Sequence, residues 1–405
     1  MKFSIPKVLQ IKKLGLLSLT PLFVSRFLYA IPTLISLPFL IKTVGSETWT
    51  TFAVAQVIGG GFGIFVEAQW KNTGIKKVVK ASRESLRTLV WSEFIKKIIL
   101  LLITVVPMIV ITKVMIGDMS IDLLLAAFST STASLSMELS LTSRKKFSTK
   151  LWVEPILRIT ICIVGMYLFN ERDSVTYFFI LTIGGNLLLP LITVSSTRDI
   201  LGHIKLTRFE KNDLTYAIGR VLSASYTILP LVILSKLSIA NLFVYALIDR
   251  LFRFAMTFYL PIFQLLQGNV HEFKFGISQK WKLYIQIIGI SSLIMTFLII
   301  YVLQLMMFDL KLNIILFTIV GFTVQSAAIN MNRYSEILLT EVTASSSVQS
   351  RILFQSTLLF WAIFGSINWF QNYFVSIIAC VVVEIFGLSL RLRLITEIES
   401  KKRLA

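Results

Sequence analysis

Twelve long apolar runs divide almost the whole chain, and they constrain its fold more than any other feature. Each run holds 17 to 28 residues. A helix needs about 20 apolar residues to cross a bilayer, whereas the strands of a membrane barrel are about ten residues long and alternate in polarity. The runs therefore predict transmembrane helices. They lie at 14–41, 49–66, 98–116, 121–140, 152–169, 175–194, 214–234, 240–262, 283–307, 312–332, 352–368 and 373–390.

The composition agrees with an all-α integral membrane protein that has almost no chain outside the bilayer. Of the 405 residues, 55% are hydrophobic and 15% are charged, whereas soluble proteins carry about 25% charged residues. The net charge of +19 would suggest nucleic-acid binding in a soluble protein. In a membrane protein the placement of that charge matters more, and we expect no nucleic-acid partner.

Candidate catalytic groups and metal ligands form no recognisable motif. Cys162 and Cys380 lie in separate apolar runs, and His203 and His271 lie in separate polar loops. No nucleotide-binding loop or nucleophile–base pair is recognisable in the sequence. We therefore expect that the protein is not an enzyme and that it holds neither a metal nor a cofactor.

The basic residues predict the orientation of the chain in the membrane. If the N-terminus is cytoplasmic, the cytoplasmic segments and adjoining helix ends hold most of the 40 lysines and arginines. The loops on the other side hold five, which are Lys42, Lys113, Arg172, Lys236 and Lys311. Cytoplasmic loops are enriched in Lys and Arg. The asymmetry predicts that both termini are cytoplasmic and that the number of helices is even.

The two halves of the chain resemble each other weakly. Residues Phe52–Gln56 (FAVAQ) align with Tyr245–Asp249 (YALID) at an offset of 193, close to half the chain length. Six helices per half would relate the halves by an axis along the membrane normal, an arrangement known in transporters. We therefore predict a lobe at 1–200 and a second lobe at 201–405, each with six helices.

A glycine cluster in the second apolar run is not a phosphate-binding loop, because no Lys-Ser or Lys-Thr follows it. Gly59 and Gly63 form a pair of small residues separated by three positions, which allows close packing of helices. Alternatively, the glycines soften this helix for bending.

Ionisable residues inside the apolar runs indicate the position of a functional site. A charge at the centre of a spanning helix costs roughly 2.5–3.5 kcal/mol, so it must face a partner or a wet interior. Asp249 and Arg253 can pair along one helix face, whereas Arg250 points elsewhere. The excess of cations predicts a cationic cavity for an anionic substrate. Its candidate residues are Arg26, Arg250, Arg253 and Arg333, and the candidates for ion coupling or structural ion pairs are Asp249 and Glu384.

With these residues in view, the sequence resembles the Wzx-type polysaccharide flippases of the MOP superfamily. The segment Val44–Gln56 (VGSETWTTFAVAQ) is similar to the family's first hairpin, in which a Leu-Gly-x-Glu turn leads into Tyr-Gly-x-Tyr-Ala and a polar residue. Trp49-Thr50-Thr51 departs from the Tyr-Gly part. Tyr245–Leu251 (YALIDRL) is close to the equivalent motif in the second half. The resemblance implies two six-helix lobes with the MOP/MATE-like fold.

The resemblance also implies a function. Family members move polyprenyl-diphosphate-linked oligosaccharide, such as an O-antigen or capsule repeat unit, from the cytoplasmic to the periplasmic leaflet by alternating access. It implies a location in the bacterial inner membrane, contact with membrane lipid, and a polysaccharide polymerase and chain-length regulator as partners. Buried arginines suit such a cargo, because a guanidinium group binds phosphate through two hydrogen bonds.

Two other functions fit part of the sequence. A MATE-type drug or ion antiporter shares the superfamily fold, but an exporter of cations should have a cavity dominated by carboxylates. A polytopic polysaccharide polymerase or ligase has a similar length, but such enzymes have a large periplasmic loop with arginines. No predicted outer loop here exceeds about ten residues.

Overall fold

A computed structural model shows a helical protein in which the described part of the chain contains ten α-helices of at least twelve residues, besides a helical segment at 230–235. The structure describes residues 16–67, 81–117, 120–137, 153–172, 174–195, 230–235, 242–257, 312–343, 346–367 and 373–404, with isolated residues at 70–78 and 218–225. We number the helices in chain order. They are α1 (Leu16–Val44), α2 (Ser46–Glu67), α3 (Arg83–Ile116), α4 (Ile121–Thr132), α5 (Val153–Arg172), α6 (Val175–Ser195), α7 (Leu242–Thr257), α8 (Leu312–Thr343), α9 (Ser346–Ile367) and α10 (Tyr373–Leu404).

Five helices among the described residues are long and apolar enough to cross a membrane. They are α2 and the greater part of α3, α5, α6 and α10. The side of α3 that faces away from the protein is apolar, with Leu102 and Val106 about two-thirds exposed. An exposed stripe of this kind suits lipid rather than water. The protein is therefore a multi-pass membrane protein, and the count of twelve spanning helices stays a prediction because several of the apolar runs lie outside the described residues.

Local sequence signals explain where several helices begin and end. Ser82 and Ser120 precede α3 and α4, and each hydroxyl accepts a hydrogen bond from a backbone N–H of the first turn, as helix caps do. Gly45 and Gly117 follow α1 and α3 with φ of 85° and 87°. Glycine adopts this left-handed conformation without strain, so the chain can turn sharply after each helix.

Helices of the first half pack mainly against one another. The most extensive contact is between α2 and α4, and α5 packs on both α1 and α6. A Cβ atom on Gly59 of α2 would overlap the backbone carbonyl of Ala127 on α4. This is the close packing that the Gly59–Gly63 pair predicts, and the softening of the helix for bending stays a prediction.

In the second half, α10 packs against both α8 and α9, and α7 packs against α8. The two groups of helices meet where α7 contacts α2 and α1. There, Trp49 and Phe243 lie edge to face with ring centroids 5.6 Å apart. We call α1–α6 the N-lobe helices and α7–α10 the C-lobe helices. The predicted boundary near residue 200 lies outside the described residues.

Candidate functional site

Helix α7 carries three charged residues in two turns. Arg253 Nε donates a hydrogen bond to Asp249 Oδ2 at 2.7 Å. This i, i+4 ion pair confirms the pairing that the spacing predicts. The Asp249 side chain is buried, whereas the Arg253 side chain is 40% exposed. The carboxylate of Asp249 is thus bound to Arg253, and its negative charge is balanced within its own helix.

Arg250 has a different partner from its neighbours, and that partner belongs to the other group of helices. Its Nη2 donates a hydrogen bond to the side-chain carbonyl oxygen of Gln56 on α2, 194 residues away in sequence. Arg250 Nε is buried and makes no hydrogen bond to any residue that the structure describes. Since Gln56 is neutral, the positive charge of Arg250 is not balanced by this contact. Arg250 therefore carries the excess charge of the trio.

The backbone of Gln56 is held firmly within the N-lobe helices. Its carbonyl oxygen accepts a hydrogen bond of 2.7 Å from the Thr130 hydroxyl on α4. One turn further on, Gly59 lets α4 approach α2 so closely that a methyl group would not fit. Gln56 thus presents its side chain to Arg250 from a position fixed by two adjacent helices.

A second polar cluster lies between α8, α9 and α10. The Asn332 amide nitrogen donates to Glu384 Oε2, and its oxygen accepts a hydrogen bond from Arg391 Nη1. Arg391 Nε donates in turn to Gln349 Oε1 at 3.2 Å. All four side chains are buried, and Arg391 is only 1% exposed. Asn332 therefore links a buried carboxylate to a buried guanidinium group without a direct ion pair between them.

The two clusters are close to each other. Cys380 on α10, one turn before Glu384, lies near the charged groups of Asp249, Arg253 and Glu384. Nearby, the Ser376 hydroxyl lies 3.4 Å from the hydroxyl of Tyr245 on α7. The predicted carboxylates Asp249 and Glu384 consequently lie in one polar region of the C-lobe helices.

A third cluster ties the N-lobe helices together, and the sequence analysis does not identify it. Arg158 Nη2 donates to Glu154 Oε1 at 3.1 Å, and its Nη1 donates to the side-chain oxygen of Asn186 on α6. The Arg158 guanidinium also lies 5.1 Å from the ring centroid of Tyr29 on α1. Asn186 Nδ2 donates to the Ser129 carbonyl oxygen on α4 at 2.8 Å. Glu154 and Arg158 have the same i, i+4 spacing inside an apolar run as Asp249 and Arg253, and that spacing could have indicated them.

The remaining predicted residues are less informative. Arg26 lies on α1, but its side chain is outside the described residues. Arg333 lies on α8, half-buried and next to Asn332. Within the described part of the chain, no group of three or more His, Cys, Asp or Glu side chains could hold a metal ion.

The sequence matches no protein-family model and no curated protein, but its structure is similar to those of MATE transporters. The MATE multidrug transporter DinF-BH has 14% identity and a TM-score of 0.57, with 96% of each chain covered. A variant of the MATE transporter VcmN from Vibrio cholerae has 14% identity and a TM-score of 0.58, with 95% of each chain covered. A third MATE protein has 13% identity and a TM-score of 0.57, over 95% of this chain and 96% of that one.

Together, the spanning helices and this likeness define a class. The chain is a multi-pass helical membrane protein with the fold of MATE transporters. This confirms the predicted MATE-like fold. At identities of 13–14%, the likeness concerns the fold alone, and the cargo must be argued from the residues of this chain.

Proposed function

We propose that the protein is an alternating-access transporter, not an enzyme, and that its cargo is a polyprenyl-diphosphate-linked oligosaccharide. The observation that supports this cargo is Arg250, a half-buried arginine at the contact of the two lobes whose guanidinium group donates to the neutral Gln56. The nearest carboxylate on its helix, Asp249, is already bound to Arg253. No carboxylate of the described residues forms an ion pair with Arg250, and such a cation is costly inside a membrane protein, which favours a role in binding an anion.

A phosphate group suits this arginine better than a single chloride ion would. A guanidinium group offers parallel N–H donors that match two oxygens of one phosphate, and these charge-assisted bonds are about twice as strong as neutral ones. A second phosphate could be bound by Arg253, whose side chain is 40% exposed. We further propose that Arg26 and Arg333 belong to the same cationic surface.

A MATE-type exporter of organic cations is the second candidate, and the fold of the solved MATE structures favours it. Such a cargo needs free carboxylates. In this protein Asp249 is bound to Arg253, and Glu384 accepts a hydrogen bond from Asn332. These contacts suit carboxylates that serve ion coupling or structural pairing, which are the roles proposed here for Asp249 and Glu384. The site therefore favours an anionic cargo.

We propose further that the protein acts in the inner membrane of a bacterium with both termini in the cytoplasm. A polysaccharide polymerase and a chain-length regulator, which use the flipped lipid, would be its partners. The neutral sugars would pass through a wet interior, and the prenyl tail would stay in lipid.

The experiment that tests the function uses purified protein in vesicles. A fluorescent polyprenyl-diphosphate oligosaccharide would be added to one leaflet, and its transfer measured with imposed proton and sodium gradients. The same vesicles would be tested for uptake of the lipophilic cation tetraphenylphosphonium. We expect transfer of the diphosphate lipid and no transport of the cation, whereas the opposite pattern would establish the exporter.

Variants of the arginines connect the activity to the site. Arg250→Ala should reduce flipping at least tenfold, because it removes both the positive charge and the two parallel N–H donors. Arg250→Lys should restore only part of the flipping activity, because lysine returns the charge without the paired donors. Arg393→Ala is the matched control, because Arg393 forms an exposed ion pair with Glu397 on α10. This variant should flip the lipid at the wild-type rate. Unchanged flipping by Arg250→Ala would show that this arginine does not bind the cargo.

A further inference from the structure

We propose that Gln56 and the phosphate of the cargo compete for the same edge of Arg250, so that binding of cargo releases a contact between the two lobes. We call the Gln56–Arg250 hydrogen bond the latch. The proposal rests on the proposed function in one respect, namely that the cargo carries a phosphate group.

The first argument is the geometry of the guanidinium group. Nε and Nη2 of an arginine lie on one edge of the planar group, and their N–H bonds are parallel. In Arg250, Nη2 donates to the Gln56 oxygen, and the buried Nε makes no hydrogen bond within the described chain. One carbonyl oxygen can occupy only one position of this edge, whereas a phosphate presents two oxygens to it. A phosphate that binds this edge through both donors needs Nη2, so in the proposed exchange it displaces the Gln56 oxygen.

The second argument is the neutrality of Gln56. A hydrogen bond from a guanidinium group to an amide oxygen is weaker than one to an ionised acceptor, so a phosphate can displace it. Asp249 cannot compete in the same way, because it binds Arg253 and lies on the same helix as Arg250. Gln56 aligns with Asp249 at the offset of 193 that relates the two halves. The N-lobe thus has an amide where the C-lobe has a carboxylate, and this amide makes the latch reversible.

The third argument is mechanical. Gln56 is attached to α4 through the Thr130 hydroxyl and through the close approach at Gly59. Its backbone cannot follow Arg250 when Arg250 moves toward a phosphate. Breaking the latch therefore removes a polar contact between α2 and α7 rather than shifting it. Since a ligand shifts a conformational equilibrium only by its differential affinity, this exchange gives the cargo a preference for separated lobes.

The experiment measures binding of farnesyl diphosphate to the full chain in lipid nanodiscs, with farnesol as the uncharged control. Gln56→Ala removes the competitor and should bind farnesyl diphosphate about fivefold more tightly than the wild type, because more of the protein is in the binding-competent state. Gln56→Glu replaces the amide with a carboxylate that pairs with Arg250 and should bind at least tenfold more weakly. If Gln56→Ala does not fold, Gln56→Ser is measured in its place, with the same expected increase in affinity.

The matched control is Gln349, whose side chain also accepts a hydrogen bond from an arginine, Arg391, but within the C-lobe helices. Gln349→Ala and Gln349→Glu should leave the affinity for farnesyl diphosphate within about twofold of the wild type. Opposite shifts at Gln56 with no shift at Gln349 would establish the latch, because a merely structural glutamine would give either no shift or shifts in the same direction in its two variants.

Two results would overturn the proposal, and they separate it from the proposed function. If Arg250→Ala abolishes binding but both Gln56 variants bind equally or shift in the same direction, the latch is wrong while the diphosphate cargo stands. If no variant and no wild-type protein binds farnesyl diphosphate more tightly than farnesol, the anionic cargo is wrong and the latch falls with it.

Discussion

Arg250 and Arg253 lie three residues apart on α7, yet their guanidinium groups bind different lobes of the molecule. Arg253 turns back to Asp249 on its own helix, and Arg250 reaches Gln56 on α2. Asp249 and Arg253 are four positions apart and share a face, whereas Arg250 is adjacent to Asp249 and is rotated about 100° away from it. A local rule therefore gives one arginine a structural ion pair and leaves the other for a partner outside its helix.

The same rule explains which contacts the sequence could predict. The Asp249–Arg253 pair follows from spacing alone, and the Glu154–Arg158 pair could have been found in the same way. The partners of Arg250 and Arg391 could not, since Gln56 is 194 residues from Arg250 and Asn332 is 59 residues from Arg391. Glutamine and asparagine in apolar runs carry no charge, so they give no signal that a distant arginine needs them.

Gly59 provides a residue-level test of the packing between α2 and α4. We expect Gly59→Ala to lower the midpoint of thermal unfolding in detergent, because its methyl group would overlap the Ala127 carbonyl oxygen. Overpacking of this kind costs about 1–3 kcal/mol or more. Gly60→Ala is the control, since a Cβ there has no neighbour within 4 Å, and it should unfold at or slightly above the wild-type midpoint. Equal midpoints would contradict the close approach of the two helices.

At the level of helices, the apolar runs locate the elements but not their ends. α3 begins at Arg83, fifteen residues before the apolar run at 98, and α10 continues to Leu404 beyond the run that ends at 390. Hydropathy detects only the part of a helix that suits hydrocarbon, whereas backbone hydrogen bonding continues through charged residues until a cap or turn stops it. α4 differs in the other direction, because its regular helix ends at Thr132 and a 3₁₀ turn follows at Ala133–Leu135.

That break in α4 has a specific partner in the neighbouring helix. Lys97 on α3 is 1% exposed, and its Nζ donates to the carbonyl oxygens of Ser134 and Ser136 at 2.8 and 3.0 Å. The last carbonyl groups of a helix lack partners within it, and a cation at this end is favourable. Lys97 thus stabilises the broken end of α4 from outside.

The Arg158 cluster gives a prediction at this scale because it joins α5 to α1, α4 and α6. Arg158→Met should destabilise the folded protein by about 3–5 kcal/mol, because it leaves the Glu154 carboxylate buried without its cation. The double variant Glu154→Gln with Arg158→Met should recover part of that loss. Unfolding in detergent would measure both. If the double variant is as unstable as the sum of the single variants, the two side chains are not energetically coupled.

At the scale of the whole molecule, the likeness to MATE structures over at least 95% of the chain confirms the MATE-like fold that the sequence resemblance implies. The number of apolar runs and the short motif in each half of the sequence carry that signal. The proposed cargo has no equivalent signal. Binding depends on which polar groups face each other across the lobes, and that arrangement comes from packing rather than from any contiguous stretch of sequence.

The orientation in the membrane stays a prediction of the charge asymmetry, and reporter fusions test it. Fusions after Lys80, Lys146 and Lys402 should give cytoplasmic signals, and fusions after Thr43 and Asp118 should give periplasmic ones, because basic loops stay in the cytoplasm. A periplasmic signal from the fusion at Lys80 would reverse the orientation. It would also reverse the direction of transport expected for a given gradient.

Helices α8 and α10 each contain 32 residues, so each is about 48 Å long, while the hydrocarbon core of a bilayer is about 30 Å thick. The pair is packed side by side and therefore extends beyond the membrane as one stiff rod. The exposed Arg393–Glu397 ion pair lies on this extension. If the C-lobe helices tilt in the proposed transport cycle, the end of such a rod moves further than any point inside the bilayer. A fluorescent label at Ser400, which is exposed, would report that tilt from outside the membrane.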